Sequence, residues 1–159
     1  LKSYFRLNRQ MFKDNIFITS SLKQIMKKTQ SWKFGDTKKE ADLLLKLVIA
    51  EKKKATSSLH DSYERKNISL PKVGDKNIIQ DSNGVERCLI ITTKVITKPF
   101  SKITKAFAKK EGERDCSLSH WRKVHRKFFE KRLKRRNMKF NNNILVVCEE
   151  FKLLKIINK

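Results

Sequence analysis

A run dense in β-branched residues, Val85–Ile96, follows directly on Asp81-Ser82-Asn83-Gly84, and together they commit the middle of this chain to a β-hairpin. Asn-Gly tolerates the positive φ angles that a tight hairpin turn requires. Ile78-Ile79-Gln80 is then the short partner strand, and Leu70-Pro71-Lys72-Val73-Gly74-Asp75 ahead of it reads as a turn. Pro99, which has no N–H to give to a ladder, ends the long strand.

On either side of the hairpin the apolar period lengthens from two to between three and four, the spacing of helix faces. Residues 1–30 read as a basic helical segment, with Tyr4, Phe5, Leu7, Met11 and Phe12 recurring, then Phe17, Ile18, Leu22, Ile25 and Met26. Trp32-Lys33-Phe34-Gly35-Asp36 interrupts it. Asp36 is placed as the N-cap of a core helix that runs to about Glu51 with Ala41, Leu44, Leu45 and Val48 in one stripe. Ala55–Leu59 reads as a short strand and His60–Lys66 as a helical turn or loop. Ser101–Lys110 is helical, Ser117 opens a further helix, and Ile144–Leu154 is a closing strand. This order predicts an α+β domain over residues 31–159, a small curled or closed sheet with helices packed outside. The strands are too few and too separated for a parallel doubly wound sheet.

Charge narrows the partner. Lysine and arginine number 39 against 16 acidic residues, a net charge of +23, and a surface so positive attracts polyanions. Nucleic acid is the first partner class, and an anionic membrane surface the second. No apolar run is long enough to span a bilayer and none reads as a signal peptide, so a membrane partner is not expected. The three cysteines, Cys88, Cys116 and Cys148, form no close pair, which fits a reducing cytoplasm better than a disulfide framework. His120 and His125 are spread around a helix with no CxxC beside them, so neither a metal site nor a cofactor is expected.

The stretch richest in chemistry is Glu51-Lys52-Lys53-Lys54-Ala55-Thr56-Ser57-Ser58, where Lys53 precedes Thr56 by three residues near a chain reversal. A lysine crowded by cations and partly dehydrated loses its proton more easily, and its free amine takes a proton from a neighbouring hydroxyl. The same residues also read as a solvated turn. In the helix after Ser117, Arg122, Arg126, Lys131, Arg132, Arg135 and Arg136 have few nearby acids to neutralise them and read as phosphate contacts. Trp32 and Trp121 carry rings able to stack on bases. Trp121 lies among Leu118, Val124 and Phe128 and reads as core, with His125 as a packing histidine on the same side.

A family resemblance joins these stretches. Trp32-Lys33-Phe34-Gly35-Asp36, Ala41-Asp42-Leu43-Leu44, Lys53-Lys54-Ala55-Thr56-Ser57 and Leu70-Pro71-Lys72-Val73-Gly74-Asp75 come first. Phe107-Ala108-Lys109-Lys110-Glu111-Gly112-Glu113, Asp115-Cys116-Ser117-Leu118, Trp121-Arg122, His125, Phe128-Phe129 and Cys148-Glu149-Glu150-Phe151 follow in order. Over Trp32–Phe151 the chain resembles the ASCH family, whose domains have a PUA-like fold, a small β-barrel with flanking α-helices. The resemblance implies a cleft beside the barrel that binds RNA or a modified nucleoside. It places Lys53 and Thr56 in the family's Gly-x-Lys-x-x-Thr pattern, on residues 51–56. Some small relatives are amidohydrolases acting on N4-acetylcytidine, and others cleave RNA. By that analogy Lys53 activates a Thr56 nucleophile while Glu111 handles protons; the residues expected to contact nucleic acid are Trp32, Lys54, Ser57, Arg122, Arg126, Arg132 and Arg135. The chain is closer to the longer branch of the family than to the small amidohydrolases. It departs from the pattern twice, with Glu51 and Arg114 standing where the family has glycine. The implied function is RNA or nucleoside binding, with hydrolysis as the alternative.

Overall fold

The computed structural model describes residues 29–157. The expected helix over residues 1–30 lies outside that range except for Thr29 and Gln30, and Gln30 opens the first strand.

Five strands form one sheet, with β1 (Gln30–Trp32), β2 (Ala55–Leu59), β3 (Lys76–Gln80), β4 (Glu86–Pro99) and β5 (Leu145–Ile156) in the order β1-β3-β4-β5-β2. β3 and β4 are the hairpin that Asn83-Gly84 announces. The Asp81 carboxylate accepts from the Asn83 and Val85 amides, and Gly84 takes φ 83°. β4 and β5 run antiparallel over most of their length, and their register slips at Leu89/Ile90 and at Thr92/Lys94. Each such irregularity bends the strand and raises its twist, so the long ribbon coils and the sheet closes into a half-barrel. β2 pairs antiparallel to β5 at one edge, and β1 pairs parallel to β3 at the other. β1, only three residues long, was not expected from the sequence. Its ladder to β3 is tertiary, and three residues carry no period of their own.

Helices cover the sheet. α1 (Lys38–Ile49) buries Ala41, Leu45 and Val48, the last two against Phe34, Ile79, Cys88, Ile90 and Phe151. α2 (Asp61–Lys66) follows β2. α3 (Lys105–Glu111) and α4 (Leu118–Lys134) bury Phe107, Ala108, Trp121, Phe129 and Leu133 against Ala55, Leu59, Val146 and Cys148. No helix among the described residues is long and apolar enough to cross a membrane.

Two local expectations are corrected. Thr37, not Asp36, caps α1: its Oγ1 accepts from the Glu40 amide while the Glu40 carboxylate accepts from the Thr37 and Asp36 amides. This reciprocal box satisfies more orphan donors than a lone aspartate would. The helix expected over Ser101–Lys110 is a 3-10 turn, Phe100–Lys102, followed by α3, whose cap is the Thr104 hydroxyl.

Candidate functional site

Between α1 and β2 the chain reverses at Glu51, which takes φ 54°. The Lys52 and Lys53 amides both bond the Leu47 carbonyl, and the Lys54 amide bonds the Lys110 carbonyl. Lys52 and Lys54 are exposed, whereas Lys53 is only 2% exposed. From the other side α3 ends at Gly112, φ 69°, where any Cβ would be driven into the Lys52 carbonyl. Glycine therefore allows the end of α3 to lie against the lysine turn, and Glu111, the last residue of α3, meets Lys53.

The Lys53 ammonium donates to Glu111 Oε2 at 2.8 Å and to Glu113 Oε1 at 2.7 Å. Glu111 Oε1 accepts from Ser57 Oγ at 2.5 Å and Trp121 Nε1 at 2.9 Å, and His125 Nε2 lies 3.4 Å away. His125 stacks on Trp121 with centroids 4.2 Å apart. Burial by itself drives Lys53 toward neutrality, but the Glu111 and Glu113 carboxylates outweigh it and hold its pKa above the ordinary lysine value. Burial likewise pushes Glu111 up, and Lys53, His125 and the Ser57 hydrogen bond pull it well below the usual carboxylate range. Both groups are ionised. The expectation of a lysine made acidic by neighbouring cations is thus corrected: Lys52 and Lys54 turn to solvent, and the groups that touch Lys53 are anionic.

Across the open side of the half-barrel runs a cleft of about 780 Å³, lined by both edge strands. Trp32, Phe34, Tyr63 and Phe128 supply aromatic wall, and Lys33, Lys66, Lys72, Lys76 and Arg132 supply cations. Thr56 and Glu149, which oppose each other in the β2–β5 ladder, also line it. Trp32 packs edge-on against Phe34 at 4.7 Å, and the Lys53 ammonium sits 5.5 Å from the centre of the Phe34 ring, so the ion pair lies just behind this wall. Lys53 and Glu111 do not themselves line the cleft. No group of three or more His, Cys, Asp or Glu among the described residues is arranged to hold a metal ion.

The ASCH domain family model matches residues 30–155. The chain belongs to the ASCH domain family. A crystal structure of protein EF3133 from Enterococcus faecalis V583 is similar at 31% identity, covering 89% of this chain and 88% of that one with a TM-score of 0.77. The ASCH domain from Lactobacillus crispatus JV V101 is similar at 27% identity, covering 87% and 92%, with a TM-score of 0.75. No curated protein matches.

In this ASCH domain the two residues that the resemblance sets against glycine take left-handed backbone, Glu51 at φ 54° and Arg114 at φ 51°. They flank the ion pair, one before Lys53 and one after Glu113, so the left-handed turns persist despite their side-chain cost. Lys53 and Glu111 are brought together; Thr56 is not bonded to either. Strand alternation turns Thr56 to the cleft and the Ser57 hydroxyl to Glu111.

Among the described arginines, only Arg132 lines the cleft. It stacks over Phe128 at 4.3 Å and bonds Asp36 at 2.8 Å, and Lys131 also pairs with Asp36. Arg136 pairs with Asp61. Lys131, Arg132 and Arg136 therefore do find acids, from segments far away in sequence, and for these three the expectation of too few nearby acids is corrected. Arg122 and Arg126 point outward to the Ser101 carbonyl and the Asn142 side chain, and Arg135 and Lys54 are exposed away from the cleft. Sequence reasoning missed Glu113, Glu149 and Tyr63 as site residues. The signals for Glu149 were its place in the Cys148-Glu149-Glu150-Phe151 stretch and its charge within a strand that is otherwise apolar on the face it shares.

Proposed function

We propose that this ASCH domain binds RNA or a nucleoside-type ligand in the cleft across its half-barrel, with a base against the aromatic wall and phosphates along the cationic rim. One observation carries the reading: aromatic rings and exposed lysines line the same concavity, the combination that takes a π face and an anionic backbone together. In this reading the Lys53–Glu111–Glu113 cluster is the rigid support of the wall, not its contact surface. Trp32 supplies stacking and Arg132 a phosphate contact.

The test is anisotropy of a labelled single-stranded RNA oligomer titrated with the full chain over a salt series. Binding that falls steeply with salt, and that weakens about tenfold in Trp32→Ala, is the expected result. Absence of binding at low salt overturns the reading.

Hydrolysis is the second reading, favoured by the 2.5 Å contact between Ser57 Oγ and Glu111 Oε1. There the serine oxygen attacks an acyl carbon as its proton passes to Glu111, and the same proton is returned to the leaving amine. Water then releases the acyl group. Appearance of cytidine from N4-acetylcytidine, lost in Ser57→Ala, would establish it.

A further inference from the structure

Glu149 stands out in a protein with so many cations. It is 7% exposed, it lines the cleft, and no lysine or arginine among the described residues pairs with it. Its Oε1 accepts from Thr92 Oγ1 at 2.5 Å, and Thr92 is itself buried. Across the ladder stands Thr56, and the Tyr63 hydroxyl, held by Ser58 Oγ at 2.8 Å, lines the same cleft. Asp75, anchored to the Lys72 amide at 2.8 Å, adds a second negative charge nearby. The cleft is thus cationic at its rim and acidic at its floor.

Burying a carboxylate away from any cation is costly, and a hydrophobic side chain at this strand position would pack at no such cost. Thr92 fixes one oxygen and with it the plane of the carboxyl group, which leaves the cleft side of the group to meet a donor. Nucleobases differ in what they present there. Cytosine carries an exocyclic amine, to which glutamate is a complementary acceptor, while uracil carries a carbonyl oxygen at the same ring position. Two acceptors facing each other in a site shielded from water repel, so one group both attracts the first base and rejects the second.

We propose that Glu149 is the specificity-determining residue of the cleft and selects an amino-bearing base, cytosine over uracil, by accepting its exocyclic N–H. The proposal rests on the reading of the cleft as a nucleobase site and adds which bases it takes. Thr92 is a positioning residue that holds the carboxylate in plane.

The experiment compares labelled cytidylate and uridylate hexamers on the full chain and on Glu149→Gln, with thermal melts to verify folding. The unaltered protein should hold the cytidylate hexamer about tenfold more tightly, the ratio one good base contact supplies. Glutamine can turn an N–H toward the uracil oxygen, so E149Q should abolish or reverse the preference while salt dependence is kept. T92V, which removes only the anchoring hydroxyl, should reduce the preference in the same direction and serves if E149Q does not fold. Equal affinity for the two hexamers, or a preference unchanged in the variants, overturns this proposal and leaves the binding reading intact. Failure of both hexamers to bind overturns the two together.

Discussion

Lys53 and Glu111, 58 residues apart in sequence, meet at 2.8 Å with both side chains almost wholly buried. Neither would be tolerated there alone. Lys53→Ala leaves Glu111 charged and buried without its cation, and breaking such a pair costs about 3–5 kcal/mol. Denaturant unfolding should show that loss. Lys53→Met combined with Glu111→Gln and Glu113→Gln should recover most of it, since the glutamine at 111 still accepts from Ser57 and Trp121 and neither carboxylate that faced Lys53 keeps its charge.

Gly112→Ala tests how the pair is assembled. The added Cβ would collide with the Lys52 carbonyl at a left-handed φ, so the end of α3 must move off the lysine turn. The strained backbone alone costs about 1–3 kcal/mol. The midpoint of unfolding should fall, and a fluorescence change at Trp121 should report that Glu111 has shifted.

The pH dependence of stability follows from the signs. Glu111 is depressed in the folded state, so its contribution is present above an unfolded value of about 4.3 and is lost as pH falls through the folded one. Lys53 is raised, so its contribution is present below about pH 10.4 and is lost as pH climbs through its folded value. Glu149 runs the other way. Burial, then the Asp75 charge, raises its pKa against the Thr92 hydrogen bond, so its ionisation costs stability as pH rises above the unfolded value. Melting temperature across pH should show an acid-side fall from Glu111, and Glu149→Gln should melt higher than the parent at pH 7.

Thr56 and Ser57 separate binding from hydrolysis. If the cleft only binds, Thr56→Val weakens RNA several-fold, and Ser57→Ala, whose hydroxyl is already given to Glu111, changes affinity little. If Ser57 is a nucleophile, Ser57→Ala removes turnover of an acylated nucleoside entirely. Affinity and product release measured on the same two variants distinguish them.

Asp36 is the counter-charge of the cleft's arginine, bonding Arg132 and pairing with Lys131 as well. Asp36→Asn should cost less than about 1 kcal/mol of stability, because both pairs are partly exposed. It should strengthen RNA binding at low salt and steepen its salt dependence, as two cations become available to phosphate.

The sequence by itself determined the hairpin, the apolar faces of α1 and α4, the excess of cations and the family motifs around Lys53 and Glu111. These are local or compositional signals: Asn83-Gly84 sets its own backbone, and Ala41, Leu45 and Val48 share a face by period alone. Only the tertiary structure decided what those residues touch. Lys53 is flanked by lysines in the chain but by Glu111 and Glu113 in space, which reverses the direction in which its proton affinity moves. Strand alternation decided that Thr56 faces the cleft and the Ser57 hydroxyl the ion pair, since a one-residue difference in register exchanges the two faces. Asp36 was legible as a helix cap and serves instead as partner to Lys131 and Arg132 from the far end of α4, a contact across 96 residues for Arg132 that no local pattern encodes. Glu149 became visible only when the sheet curled, because a buried carboxylate acquires its meaning from which cations fold away from it.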